Sequence, residues 1–280
     1  MEYLERRVAM VNDRLEDVTS AVEPIELSEE IEHVALAGGK RVRPTVTLLA
    51  CEAAGGDAED AVDFAVGVEL VHNASLVVDD IIDRSDVRRG TPSAWAEYGH
   101  GPALIASDGL LGEAFGLFSA DERAMQVVSE AMVELGEGEA TELVDRPDSE
   151  AAYMQLARRK TGALFRAAAE LGAIAADADG FTVESFGEYA ERVGVAFQIR
   201  DDVLDATADG DDLGKPTGQD AEMDRPSLLQ VTDLTPEEAN ERARTEADAA
   251  LSALETASIG ESDARGYLRD LAEFVVVRER

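Results

Sequence analysis

Two short clusters of aspartate interrupt apolar stretches of the chain, and their spacing is suited to metal binding. The first cluster, DDIID, spans Asp79–Asp83, and the second, DDVLD, spans Asp201–Asp205. On a helix, Asp79 and Asp83 would lie one turn apart on the same side, separated by roughly 6 Å. Like charges this close repel each other, so a divalent cation that prefers oxygen ligands is the simplest partner for them. The first cluster therefore predicts a site for such a cation.

The alternative interpretation is that these aspartates belong to a solvated surface, because the chain contains 60 acidic residues. Surface acids should have polar neighbours, whereas Leu76–Val78 precede the first cluster and two isoleucines interrupt it. The presence of a second such cluster in another apolar stretch favours metal ligands. Arg88 and Arg89 follow the first cluster, and their planar guanidinium groups suit phosphate oxygens. Together these residues indicate a bound Mg-phosphate group.

Lysine is rare in this chain, and its positions are informative. There are only three lysines beside 22 arginines, and each lies close to glycine: Lys40, Lys160 and Lys215. Accidental placement is the alternative, but anion binding at loop–helix junctions explains the pattern better. Lys40 opens a basic stretch that continues through Arg41 to Arg43, and three cations beside a helix start suit a diphosphate. A basic patch that pairs with surface acids is a weaker explanation, since basic residues are scarce.

The three histidines and the single cysteine have different contexts. His72 lies two turns before Asp79 and therefore near the same side of a helix, which leaves open a structural role or a phosphate contact. His33 and His100 have no comparable context and are interpreted as bystanders. Cys51 lies in an apolar run, where a small buried hydrophobic residue is the expected role, and a lone cysteine forms no disulfide framework.

Composition excludes several classes of partner. A formal net charge of −35 argues against nucleic acid and anionic membranes, since both repel a polyanion. The sequence has no run near 18 apolar residues and no basic-then-apolar amino terminus, so we expect neither a membrane span nor a signal peptide, but a soluble cytoplasmic protein without stable membrane association. The excess of acid over lysine indicates adaptation to concentrated salt, where such charge is screened. Hydrophobic residues make up 45% of the chain and recur periodically, which predicts that the chain folds.

The hydrophobic pattern predicts an all-α fold without period-two segments. In a single-domain antiparallel helix bundle with a deep central cavity, two distant helices can bring the acid clusters face to face. An apolar lining beneath them would hold a hydrocarbon, so the predicted substrate has a charged head and an apolar tail. The predicted helices span about 3–22, 28–37, 44–54, 59–83, 103–118, 122–144, 149–159, 161–176, 183–206, 236–257 and 263–278, with a turn at 91–93.

The motifs together resemble the trans-polyprenyl diphosphate synthases. The likeness spans roughly residues 30–230, and all motifs occur in the family's order. It is carried by Gly38–Pro44, by the first acid cluster with Arg88–Gly90, by Lys160-Thr161, and by Phe197-Gln198 with the second acid cluster. The resemblance implies a single polyprenyl synthetase domain over residues 1–280, of the isoprenoid synthase type. It also implies a homodimer that condenses isopentenyl diphosphate head-to-tail with allylic diphosphates, using three Mg²⁺ ions.

The resemblance also implies roles for individual residues. Asp79 and Asp83 would hold two metals and Asp201 the third, with Asp80, Asp202 and Asp205 in support. The family's isopentenyl diphosphate contacts match Lys40, Arg43, His72 and Arg89. Its allylic diphosphate contacts match Arg88, Lys160, Thr161, Gln198 and Lys215. Where the family usually has a further lysine contact, this chain has Arg225; Glu139 stands where glutamine is common, and Val78 where a histidine often precedes the first aspartate.

Product length should depend on the bulk of side chains below the first acid cluster, because the growing tail would run along that helix. Ala74 and Ser75 are small, so we expect the floor to lie lower than in farnesyl diphosphate synthases, with Phe115 and Phe118 closing it further down. This predicts geranylgeranyl diphosphate or a longer product. One alternative function is that of a class I terpene cyclase, which shares the metal motif but would leave Lys40 without a role. A second alternative is a noncatalytic subunit that binds prenyl diphosphate.

Overall fold

The fold is a bundle of helices around one long central helix. The computed structural model describes residues 2–207 and 226–277. Its α-helices, numbered here in chain order, are α1 Glu2–Ser20, α2 Ile25–Ala35, α3 Val42–Ala54, α4 Ala58–Asp83, α5 Ala94–Tyr98, α6 His100–Phe118, α7 Glu122–Val144, α8 Glu150–Ala157, α9 Ala163–Ala175, α10 Gly180–Thr207, α11 Leu228–Val231, α12 Pro236–Thr256 and α13 Asp263–Val277. A π-helix, Arg158–Gly162, joins α8 to α9. The predicted all-α class is confirmed.

Helix α4 is central because it is apolar on several sides. A capping box of Asp57 and Asp60 starts the helix, and Arg84, in the left-handed conformation at φ 54°, ends it directly after the first acid cluster. It packs against α1, α3, α6 and α9. By length and composition α4 could cross a membrane, but 61% of its most apolar window is buried inside the protein, as in the core helix of a globular bundle.

A short hairpin follows α4 and corrects the expectation that this segment is a plain turn. Strands β1 Val87–Arg88 and β2 Thr91–Pro92 pair antiparallel, with Val87 opposite Pro92. Arg89 and Gly90 between them have φ values of 52° and 81°, as in the two-residue turns that suit hairpins. Such a short pairing leaves no visible alternation in the sequence. The hairpin carries both members of the arginine pair.

The region between α7 and α10 is packed closely, and glycine occupies two of its contact points. A Cβ atom at Gly138 of α7 would lie 3.0 Å from the backbone nitrogen of Lys160 in the π-helix. Gly194 of α10 approaches the same segment from the other side, where an added Cβ would lie 3.1 Å from Cα of Gly162. The π-helix is therefore held between two helices at short range. A second buried cluster, around Tyr153, Ile199 and Leu228, extends from it toward α12.

Candidate active site

The first acid cluster is divided between the surface and the interior of α4. Asp79 and Asp83 are half-buried on one side of the helix, whereas Asp80 is buried. Asp80 accepts hydrogen bonds from Arg88, at 3.0 Å from Nε and 2.5 Å from Nη2. Charge-assisted bonds of this kind are about twice as strong as neutral ones. Asp80 thus fixes Arg88 of the hairpin to α4, which leaves Asp79 and Asp83 as the pair predicted to bind metal.

Arg89 reaches the loop between α2 and α3. Its Nη1 donates to the carbonyl oxygen of Gly38 at 2.6 Å and to Oδ1 of Asn73 at 3.4 Å. A Cβ atom at Gly39 would lie 2.9 Å from Cζ of Arg89, and Gly39 itself has a φ of 121°. Glycine is therefore required where the guanidinium group crosses the loop. The glycine motif and Arg89 therefore lie together, which is consistent with their predicted role at isopentenyl diphosphate.

Arg43 and His72 form the inner part of this cationic site. Nη1 of Arg43 lies 3.2 Å from Nε2 of His72, and its guanidinium carbon lies 4.6 Å from the centroid of the Phe165 ring. Burial lowers the pKa of Arg43, the charge of Glu69 partly opposes this effect and the charge of Arg89 adds to it, so that the pKa of Arg43 is about 10. Among the described residues, Nε of Arg43 is buried without a hydrogen-bond partner. Such a donor is what a bound anion would satisfy.

The other two cations of the glycine motif behave differently. Arg41 is 4% exposed and donates to Glu69 at 2.6 Å, to the carbonyl of Ala35 at 2.8 Å and to Asn12 at 3.0 Å. Its bonds tie α3 to α1, α2 and α4, so Arg41 supports the loop. Lys40 is exposed at the edge of the same loop. Of the predicted isopentenyl diphosphate contacts, Arg43, His72 and Arg89 are brought together, and Lys40 lies at their rim.

The π-helix presents Lys160 to the acids of α7. Its Nζ lies 3.2 Å from Oε1 of Glu139 and also contacts Glu142, a residue that the sequence did not single out. Burial opposes protonation, but the carboxylates of Glu142, Glu139 and Asp79 raise the pKa of Lys160 above its usual value. Burial, then the charge of Asp79, raises the pKa of Glu139 to about 7. π-Helical turns are frequent at functional sites, and this one places Lys160 near the first acid cluster.

The next residue, Thr161, connects to the second acid cluster. Oγ1 of Thr161 donates to Oε1 of Gln198 at 2.8 Å, and Nε2 of Gln198 donates to Oδ1 of Asp202 at 3.0 Å. Asp202 is buried and also accepts from the hydroxyl of Tyr153 at 2.5 Å and from the backbone nitrogen of Leu228 at 2.7 Å. Asp202 thus orients α10, whereas Asp201 is half-buried on its surface.

The predicted metal ligands are suited to magnesium that is shared with a substrate. Within residues 2–207 and 226–277, no three side chains of His, Cys, Asp or Glu lie close enough to hold a cation by themselves. Mg²⁺ typically takes one or two carboxylates together with phosphate oxygens and water, so this arrangement fits it. Glu139 lies close enough to Asp79 for the charge of Asp79 to raise the pKa of Glu139, in addition to the larger effect of burial. Oxygen donors and surplus negative charge both match a hard divalent cation.

Some residues of the candidate site were not predictable from the motifs. Glu142, Tyr153 and Asn73 contact predicted site residues, but only Glu142 had a possible signal, since it lies one turn from Glu139 on the same helix. Lys215 and Arg225, both predicted to contact diphosphate, lie outside the described residues. Their assignments stay predictions.

The all-helical bundle with its two acid clusters is an isoprenoid synthase fold, and comparisons with known proteins agree. Geranylgeranyl pyrophosphate synthetase from Pyrococcus horikoshii has a similar structure, with a TM-score of 0.90 at 33% identity over 99% of this chain and 98% of that one. The profile of the polyprenyl synthetase family matches residues 24–259. The chain therefore belongs to the polyprenyl synthetase family, and it is a trans-prenyltransferase.

Relatives within the family are named for different product lengths. A short chain isoprenyl diphosphate synthase from Methanothermobacter thermautotrophicus is 36% identical over 253 residues, which are 87% of this chain and 77% of that protein. Octaprenyl diphosphate synthase from Escherichia coli is 35% identical over 215 residues, 74% of this chain and 67% of that protein. Members of the family bind isopentenyl and allylic diphosphates.

Proposed function

We propose that this prenyltransferase condenses isopentenyl diphosphate head-to-tail with an allylic diphosphate to give geranylgeranyl diphosphate. The observation that carries the proposal is the position of Lys160 and Thr161. These consecutive residues face the acids beside Asp79 and, through Gln198, the second acid cluster. A diphosphate bound at Lys160 and Thr161 would therefore lie between the two clusters, as the metal-assisted reaction requires.

The residues of each diphosphate site have distinct tasks. Asp79, Asp83 and Asp201 would hold three magnesium ions, which when bound supply positive charge to the departing diphosphate. Arg88, fixed by Asp80, and Lys160, kept protonated by its carboxylates, would donate to the allylic diphosphate. Preorganised donors of this kind stabilise charge as the carbon–oxygen bond breaks. Lys215, Thr161 and Gln198 are proposed to complete this group.

The second substrate would lie at Arg43, His72 and Arg89, with Lys40 and Arg225 at the edge. The double bond of isopentenyl diphosphate then attacks the allylic carbocation, and the proton released from the condensed carbon passes to the departing diphosphate. The rings of Phe165 and Phe197, 6.3 Å apart between centroids, give an apolar wall beside Arg43. Such a wall excludes water, which would otherwise capture the cation.

The proposed product length depends on the side chains that lie below Asp79. Ser75 is half-buried one turn before Asp79, and Ala74 is buried, with its carbonyl accepting from Ser107 of α6 at 3.2 Å. Three turns below Asp79, the ring of Phe118 packs on Gly67, where an added Cβ would lie 2.5 Å from Cζ. We propose Phe118 as the floor of a deep central cavity. Small residues above a buried aromatic support a geranylgeranyl product; a longer product is the second candidate.

We further propose a cytoplasmic homodimer built from one domain. The exposed faces of α6 and α7 carry apolar side chains, including Leu104, Ile105 and Val133. Apolar residues grouped on neighbouring helices are typical of an interface between copies. Light scattering should give twice the mass of the chain, and Ile105→Asp together with Val133→Asp should give a folded monomer. A wild-type monomer at micromolar concentration would exclude this interface.

Incubation with labelled isopentenyl diphosphate tests the proposed reaction. Each allylic primer is added in turn with Mg²⁺ in molar salt, and the products are separated by chain length after dephosphorylation. We expect incorporation of label into a geranylgeranyl product, and none when Mg²⁺ is chelated. A folded sample that incorporates no label would favour a noncatalytic subunit. A longer labelled product would keep the reaction and exclude the proposed floor.

A further inference from the structure

A small cavity lies beneath the arginine hairpin, between α2 and α4. Its volume is about 20 Å³, and it is lined by polar groups of α4 and of the hairpin, including Asn73, Asp80, Arg88, Arg89 and Ser93. A cavity needs a volume of about 10–15 Å³ to hold one water molecule. This space is therefore large enough for a single water and too small for a substrate.

Two residues that line this cavity each have a buried polar atom without a hydrogen-bond partner in the described part of the chain. These atoms are Nδ2 of Asn73, in a residue that is 1% exposed, and Oγ of Ser93, in a residue that is 2% exposed. Buried donors without partners are uncommon, because each loses its bonds to water without replacing them. Two such atoms on one cavity indicate a bound molecule that satisfies both.

We propose that one ordered water occupies this cavity, bridging Asn73 to Ser93, and that Asn73 is a positioning residue for Arg89. The water accepts from Nδ2 of Asn73 and bonds with the hydroxyl of Ser93. A halide ion would also accept two hydrogen bonds, but the carboxylate of Asp80 lines the same space and disfavours an anion. Water can donate to that carboxylate, so it suits the cavity better.

The contacts of the hairpin explain why this bridge would affect Arg89. His33 of α2 donates from Nε2 to the carbonyl of Pro92 at 2.8 Å, and Arg88 is bonded to Asp80. Between these two attachments, Asn73 contributes the Oδ1 atom that accepts from Arg89. The water ties the other end of the same amide to Ser93, where the hairpin returns. Both polar atoms of the Asn73 amide are then bonded, so the side chain holds the guanidinium group of Arg89 in one orientation.

This inference rests on the proposed function, in which Arg89 binds isopentenyl diphosphate. Asn73→Leu removes both the acceptor for Arg89 and the donor to the water at similar volume. We expect the KM for isopentenyl diphosphate to rise about tenfold, the loss of one hydrogen bond to a charged group. The kcat and the KM for the allylic substrate should change by less than about twofold. Asn73→Thr, whose hydroxyl can accept and donate, should recover most of the loss.

Binding without turnover gives a second measurement. Trp95 is the single tryptophan, and its Nε1 donates to the carbonyl of Ser85 at 3.0 Å in the same hairpin segment. Its fluorescence during titration with isopentenyl diphosphate alone should give a Kd that rises about tenfold in Asn73→Leu. Ser93→Ala, which removes only a partner of the water, should raise the Kd about threefold and serves if Asn73→Leu does not fold. Ser119→Ala, at an exposed helix end, is the matched control.

The outcomes separate the two proposals. If the wild-type protein neither binds nor incorporates isopentenyl diphosphate, the proposed function is wrong. If it does both and Asn73→Leu binds as tightly as the wild type, the positioning role of Asn73 is wrong. A crystal structure of the unliganded protein that resolves ordered water should show density between Asn73 and Ser93. An empty cavity or a chloride peak there would overturn the assignment of water.

Discussion

The guanidinium group of Arg43 faces the imidazole of His72, with Nη1 of the arginine 3.2 Å from Nε2 of the histidine. Arginine can only donate, so Nε2 must accept and the imidazole must be neutral. Burial, and then the charges of Arg43 and Arg89, hold the pKa of His72 well below its ordinary value of 6.5. His72 therefore adds a polar, uncharged acceptor to a site that is otherwise cationic.

Protonation of His72 should make folding depend on pH. In the unfolded chain His72 takes up a proton near pH 6.5, whereas in the folded protein it resists protonation. The unfolded state thus binds more protons below pH 6.5, and stability falls as the pH decreases toward the folded-state pKa. Above pH 6.5 this contribution is complete. Thermal unfolding of His72→Gln should show a weaker loss of Tm below pH 6.5 than the wild type; parallel profiles would contradict the depressed pKa.

Asp79→Asn should reduce catalysis much more than it reduces stability. Asp79 is a proposed metal ligand, and loss of one preorganised stabilising group typically lowers kcat by about 10²–10³-fold. We expect a decrease of that size, partly reversed by higher Mg²⁺ concentration, in the condensation assay. Asp248→Asn, an exposed carboxylate on α12, is the control and should keep wild-type kcat. Equal activities of the two variants would remove Asp79 from the metal site.

Asp80→Asn should weaken both the fold and the position of Arg88. The Asp80 side chain is buried, and it accepts the hydrogen bonds of an arginine that is one-third exposed. The neutral amide leaves that arginine without its counter-charge, so we expect the free energy of unfolding to fall by about 1–3 kcal/mol. Urea denaturation in concentrated salt measures the change. Asp86→Asn, exposed three residues beyond the helix end, should differ from wild type by less than about 0.5 kcal/mol.

Bulk below the first acid cluster should shorten the product. Phenylalanine at position 75 would lie one turn before Asp79, where the growing tail is proposed to pass. We expect Ser75→Phe and Ala74→Phe to change the main product from geranylgeranyl to farnesyl diphosphate. Ala74 is buried against α6, so Ala74→Phe should also lower Tm, whereas Ser75→Phe should do so less. Unchanged product length in both folded variants would exclude this part of α4 as the tail path.

Salt should stabilise the protein. With a formal net charge of −35, the folded chain repels itself, and counter-ions screen that repulsion within a Debye length of about 3 Å at 1 M salt. We expect Tm to rise by about 5 °C or more between 0.1 M and 2 M KCl, which corresponds to a gain of roughly 1–2 kcal/mol. Sucrose at equal osmolality is the control for solvent exclusion. A Tm that is independent of KCl would contradict adaptation to salt.

Local signals in the sequence were sufficient for most of the long helices. The bounds of α7, Glu122–Val144, agree with the periodicity, and α12 begins at Pro236 as predicted. Helix α2 begins at Ile25, three residues before the predicted start at Ser28, because Pro24 already sets the helix entry. The short helices α5 and α11 were missed, since four or five residues carry no periodic signal. Helix bounds therefore follow local chemistry wherever the helix is long.

Contacts between residues distant in sequence were harder to predict from the sequence. The motifs identified Arg88, Lys160 and Asp202, but nothing in their spacing shows that Asp80 binds Arg88 or that Tyr153 binds Asp202. The first pair depends on the hairpin turn at Arg89 and the second on the packing of α8 against α10, and neither is a local signal. The sequence thus supplies candidates for the site, whereas the contacts between them can be seen only in the fold.

The hairpin fixes the distance between the two proposed diphosphate positions. Arg88 and Arg89 are joined by one peptide bond, yet their guanidinium groups bind different partners, Asp80 of α4 and the carbonyl of Gly38. If each guanidinium group holds one pyrophosphate, the gap between the two heads is fixed by a single dipeptide. The depth of the hydrocarbon path can then change in evolution while the distance between the reacting carbons of the two substrates stays the same. A one-residue insertion at this turn would misalign both heads at once.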